Sequence, residues 1–76
     1  MLDVRLVEVI SRVFGIPAEQ VTPGSGRDTI ETWDSVNQLK LVLSLEEEFH
    51  LRFPTAEIPN LISAGRIQEA VRRLAK

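Results

Sequence analysis

Few residues in this 76-residue chain could do chemistry. Ser35 is the first candidate, set in the stretch Glu31-Thr32-Trp33-Asp34-Ser35-Val36-Asn37 just before a long run of apolar periodicity. A serine nucleophile needs a base within hydrogen-bond reach and donors for an oxyanion. The single histidine, His50, would stand at the far end of the same helix, roughly 20 Å away at 1.5 Å per residue. Asp34 alone cannot complete a triad. The chain is therefore not expected to be an enzyme. Two roles remain for Ser35: a helix N-cap, the usual job of Ser or Asp before an apolar helix, or a hydroxyl on which another protein acts. A helix N-terminus also favours a phosphate, through its free N–H groups and its dipole.

The elements that would position Ser35 can be read from hydropathy. Leu2, Leu6, Val9, Ile10, Val13 and Phe14 recur at helical spacing, and Gly15 and Pro17 supply a stop. A long connection follows to Trp33, with Pro17, Pro23, Gly24, Ser25 and Gly26 in it and one helical turn expected at residues 17–20. A loop this long inside a small domain tends to be functional; here it delivers the chain to Asp34-Ser35.

A second helix is expected from about Ser35 to Phe49 or His50. Asn37, Lys40, Ser44 and Glu47 form its polar stripe, opposite a broad apolar side of Val36, Leu39, Val42, Leu43, Leu45 and Phe49, with Leu41 on a flank. Ser35-Val36-Asn37-Gln38 fits a capping box, with the Ser35 hydroxyl as cap and Gln38 reaching back. Leu51 to Pro54 breaks the helix, and the Pro-interrupted stretch around Ile58 allows one or two turns. Ser63 can cap a last helix with the stripe Ile67, Ala70, Val71, Leu74. The expected fold is all-α: a small four-helix bundle of three main helices and a short third one, with a long first loop.

Composition sets the outer limits. Residues 1–76 make one small domain, 43% hydrophobic and 26% charged, whose core should leave only about 3–5 kcal/mol of net stability. There is no cysteine, hence no disulfide, no thiolate metal site and no thiol of the chain's own. No metal site is expected. A net charge of −2 argues against nucleic-acid binding. No apolar run reaches spanning length and the start lacks a signal peptide's apolar core, so a cytoplasmic monomer without membrane contact is expected.

Asp34-Ser35-Val36, then Leu39, Leu41-Val42-Leu43 and Leu45-Glu46-Glu47-Glu48-Phe49, resemble the acyl carrier proteins. The likeness extends over nearly the whole chain, from Phe14-Gly15-Ile16 through the long loop to Ser63–Leu74. An Asp-Ser pair alone says almost nothing; its spacing to Phe49 in a chain of this length is specific. The resemblance implies that a phosphopantetheinyl transferase moves 4′-phosphopantetheine from coenzyme A onto Ser35. Acyl groups would then ride as thioesters on a thiol that arrives with the cofactor. It gives Asp34 the motif's acidic position, as helix cap and transferase contact, and capping alone accounts for Asp34 equally well. It implies docking of acyl-loading and acyl-processing enzymes on helix two, through Val36, Asn37, Lys40 and Glu47.

The match departs from the family in charge. Val36 replaces the motif's usual leucine, and Asn37 and Lys40 stand where many fatty-acid carriers have acids. Over residues 35–53, three glutamates face Lys40 and Arg52, so steering toward basic partners is weak. That points to a specialised pathway, of polyketide or other secondary-metabolite type, over bulk fatty-acid synthesis. A peptidyl or aminoacyl carrier has the same architecture, and an unmodified helical interaction module would keep Ser35 only as a cap. Glu46 and His50, four residues apart, are placed to pair, and Trp33 reads as a packing anchor for the loop.

Overall fold

The computed structural model describes residues 2–74. Three α-helices form among these: α1 at Val4–Phe14, α2 at Ser35–Phe49 and α3 at Ala64–Leu74. Two short 3-10 helices join them, one at Ala18–Gln20 in the long loop and one at Thr55–Asn60 before α3. The fold is the small all-α bundle expected, with its short third helix wound as 3-10. Pro59 lies inside that short helix and has no N–H to give, which limits how far it can propagate. No helix among the described residues is long and apolar enough to cross a membrane.

Helix α1 begins two residues later than Leu2. Asp3 takes the N-cap in extended backbone, and its carboxylate accepts from the Arg5 N–H at 2.7 Å. Leu2 stays outside the helix yet packs against the core. Gly15 ends α1 in the left-handed region at φ 69°, where a side chain would be strained, and its N–H returns to the Ser11 carbonyl. Leu6, Val9, Ile10 and Phe14 form the buried face of α1, which packs against both α2 and α3. The i, i+3, i+4 spacing places them on one side.

The long loop is fixed rather than slack. Its backbone supplies acceptors to the first turn of α3: Ala64 N–H donates to the Ser25 carbonyl at 2.8 Å and Gly65 N–H to Pro23 at 2.9 Å. Arg27 N–H in turn donates to the Ile62 carbonyl at 3.1 Å. Ser63 caps the same turn, its Oγ accepting from Arg66 N–H. The first-turn donors that a helix leaves unsatisfied are thus met by a segment forty residues away in sequence. Gly26 sits where this crossing is tightest, since a Cβ there would overlap the Ile62 carbonyl. Buried Ser25 completes the fastening, accepting from Thr22 N–H at 2.8 Å.

Helix α2 departs from the sequence reading in which face it buries. Leu41, assigned to a flank, is fully buried together with Val42, Leu45 and Phe49. Val36, Leu39 and Leu43 are instead 65%, 58% and 58% exposed. The apolar arc of α2 is wider than α1 and the second 3-10 helix can cover, so one edge of it faces solvent. The expected Glu46–His50 pair does not form. Glu46 turns back to accept from the Phe53 N–H at 2.9 Å, and His50 ends the helix in the left-handed conformation at φ 53°. Capping the chain reversal after the helix outweighs a weak exposed ion pair.

Candidate functional site

Ser35 stands at the first position of α2, exposed to solvent. The cap is Asp34, not Ser35: the Asp34 carboxylate accepts from Asn37 N–H at 2.9 Å, from extended backbone at φ −106°. The capping box expected at Ser35 does not form: the cap lies one residue earlier, and the Asp34 N–H donates to the Thr32 carbonyl at 2.9 Å instead of to a side chain. Among the described residues the Ser35 hydroxyl makes no hydrogen bond, and the N–H groups of Ser35 and Val36 find no acceptor. A carboxylate makes a stronger cap than a hydroxyl, because its charge also complements the dipole. With Asp34 in that role, Ser35 is left free.

Gln38 does not reach back to Ser35 either. Its Oε1 accepts the indole N–H of Trp33, and its Nε2 donates to the carbonyls of Leu61 at 3.0 Å and Ile58 at 3.3 Å. Trp33 is buried and stacked on Phe14, with ring centroids 4.4 Å apart and planes inclined by 17°. It is the loop anchor the sequence suggested. Thr32 adds a second tie, its hydroxyl donating to the Phe14 carbonyl at 2.9 Å, and its own carbonyl accepts from Asn37 Nδ2 at 2.8 Å. The corner that presents Ser35 is held to α1, to α2 and to the second 3-10 helix at once.

Among the described residues no general base stands beside Ser35. His50 is exposed at the opposite end of α2, and the Asp34 carboxylate is engaged with the helix backbone. Among the described residues no cluster of three or more His, Asp or Glu side chains could hold a metal ion. The arrangement presents a hydroxyl; it does not activate one.

The exposed side of α2 runs on from this corner. Val36, Leu39 and Leu43 form an apolar stripe, and Lys40 and Glu47 flank it, exposed and without ion pairs among the described residues. Asn37, grouped with them on sequence, is half-buried and tied to Thr32. Leu39 and Leu43 were missed as surface residues because periodicity alone cannot say which part of a wide apolar arc neighbours will cover.

No family model matches the chain. Among curated proteins, it is 38% identical over 61 residues to an acyl carrier protein of Acidothermus cellulolyticus, an alignment covering 79% of this chain and 71% of that protein. An acyl carrier protein of Saccharopolyspora erythraea is 29% identical over 65 residues, covering 86% of this chain and 68% of that one. The chain belongs to the acyl carrier protein family. As a carrier it is a substrate and scaffold for enzymes and not itself a catalyst, in keeping with a serine that has no base. The alignment covers most of the chain, in line with a resemblance already visible over nearly its whole length.

Proposed function

We propose that this carrier is modified on Ser35 with 4′-phosphopantetheine and bears acyl intermediates as thioesters on that arm. The observation that supports this best is the free Ser35 hydroxyl. It is exposed, unbonded and fixed in place at a helix N-terminus, in a chain related to acyl carrier proteins. In the transfer, Ser35 Oγ bonds to the phosphorus that carries the pantetheine half of coenzyme A. The bond from that phosphorus to the adenosine-bearing phosphate breaks, and the serine proton passes to a base on the transferase. The free N–H groups of Ser35 and Val36 at the start of α2 would favour the negative charge of such a phosphodiester. Once attached, the arm supplies the thiol that the cysteine-free chain lacks.

The exposed stripe of Val36, Leu39 and Leu43, with Lys40 and Glu47 beside it, is the proposed docking face for the transferase and for acyl-loading and acyl-processing enzymes. With one cation in the stripe and few acids around it, docking would rest on apolar contact more than on steering, and would depend weakly on salt. That balance favours a specialised pathway, of polyketide or other secondary-metabolite type.

The test is mass. The apo protein is incubated with coenzyme A and a broad-specificity phosphopantetheinyl transferase, and its intact mass is measured. Gain of one arm by the wild type and none by Ser35→Ala is expected. No gain by the wild type would leave an unmodified helical interaction module as the reading.

A further inference from the structure

The exposed face of α2 holds one residue out of keeping with its apolar neighbours. Val36, Leu39 and Leu43 recur at i, i+3 and i+7 with exposed side chains, and Lys40 completes that spacing at i+4. A cation thus stands in the middle of the apolar stripe, five residues and about 7.5 Å along the helix from Ser35. We propose that Lys40 sets which enzymes can use this carrier. It admits those whose docking groove offers a carboxylate to position 40 and turns away those whose groove is basic. This selection rests on Ser35 being the attachment site and on α2 being the face that docks.

Among the described residues nothing neutralises that charge. The positions one turn away, Val36, Asn37, Leu43 and Ser44, carry none. The ion pairs among the described residues are Arg5 with Asp3 and Arg73 with Glu57, neither on α2. Asp34 is committed to the helix backbone, and Glu46 to the Phe53 N–H. Glu47 shares the face of Lys40 but lies two turns on, at about 10.5 Å, and Glu48 lies farther still. Both are beyond the screening length of about 8 Å at physiological salt. The Lys40 stem can lie along the apolar stripe while its ammonium stays in water, so the charge carries no desolvation penalty until a partner covers it.

Selection arises at that covering. Val36, Leu39 and Leu43 gain from burial whatever the sign of the groove, so they supply adhesion to any partner. The ammonium needs a counter-charge once it is covered, and a partner without one is penalised. Two unit charges about 4 Å apart are worth about fivefold in water and about 10³-fold at an effective dielectric constant of about 20. A carboxylate in the groove gains within that range, and a cation there loses within it. A second copy of this chain is a poor occupant. Pairing about a two-fold axis, with Val36 against Leu43, would bring the two Lys40 side chains together.

The probes are two phosphopantetheinyl transferases chosen for the charge of their carrier grooves, one acidic and one basic. Arm transfer from coenzyme A is followed by intact mass, and kcat/KM is measured for the wild type, Lys40→Met and Lys40→Glu. Lys40 is exposed, so neither variant should move the thermal midpoint by more than about 4 °C. With the basic groove, Lys40→Glu should raise kcat/KM by at least about tenfold, and with the acidic groove lower it by as much. Lys40→Met should fall between. Values within about twofold of the wild type on both enzymes overturn the proposal, and so does a change in the same direction on both. Self-association of Lys40→Met by size exclusion, with groove preference unchanged, also overturns it and leaves Lys40 as a guard against pairing of carriers. Failure of the Ser35 reading is separate: neither enzyme would then add mass to the wild type or to either variant.

Discussion

Asp34 and Ser35 are adjacent, both are exposed, and either could cap a helix, yet they should respond in opposite ways to the same truncation. Asp34→Ala removes the single side-chain acceptor of the α2 N-terminus, the 2.9 Å bond to Asn37 N–H. Loss of such a cap costs about 1 kcal/mol. On a domain of this size that lowers the thermal midpoint by about 4–8 °C. Asp34→Asn keeps an acceptor and loses only the favourable charge at the helix start, for a smaller loss of about 0.3–1 kcal/mol. Ser35→Ala removes a hydroxyl that bonds nothing among the described residues and installs a better helix former, so stability should hold within about 0.5 kcal/mol or rise slightly. Urea and thermal unfolding of the apo proteins, followed by circular dichroism, measures all three. If Ser35→Ala loses as much as Asp34→Ala, the serine shares the capping role, and its freedom to serve as an attachment point loses its structural support.

The two faces of α2 should separate stability from docking. Leu41→Ala, at a fully buried site, should cost about 2–5 kcal/mol, while Leu39→Ala, 58% exposed, should cost under about 0.5 kcal/mol by denaturant titration. The same Leu39→Ala should raise the transferase KM with kcat little changed. The acid limb of the stability curve should reflect Asp3 and Glu57. Backbone and side-chain hydrogen bonds from Arg5 hold the Asp3 carboxyl below its ordinary range, and the Arg73 guanidinium does the same to Glu57. Carboxyls depressed in the folded state contribute fully above the ordinary carboxylate range, and that contribution is lost as pH falls through the folded values. Glu57→Gln should therefore flatten the loss of stability below pH of about 4 and leave the slope near neutrality unchanged, in thermal melts recorded across pH.

Much of the carrier was legible in the sequence because its signals are local. The i, i+3, i+4 recurrence of Leu6, Val9, Ile10 and Phe14 sets the buried face of α1 whatever surrounds it, and Gly15 stops the helix because only glycine enters the left-handed region without strain. The same holds for Ser63 as the α3 cap and for Ile67, Ala70 and Val71 beneath it. Asp34-Ser35 at the head of an apolar helix reads by itself as a cap, and only the resemblance carried by its spacing to Phe49 made Ser35 the proposed attachment point. Tertiary structure decided what depends on neighbours. Whether Leu41 or Leu39 goes inside is a choice among positions on one wide apolar arc, made by the area that α1 and the second 3-10 helix can cover. Which of Asp34 and Ser35 caps α2 turns on the backbone angle at which the loop arrives, and that angle is set by the Trp33–Phe14 stack and the Thr32 bond to α1. The partners of Gln38 could not be read at all, since Ile58 and Leu61 lie twenty and more residues along the chain and meet it only once the bundle has closed.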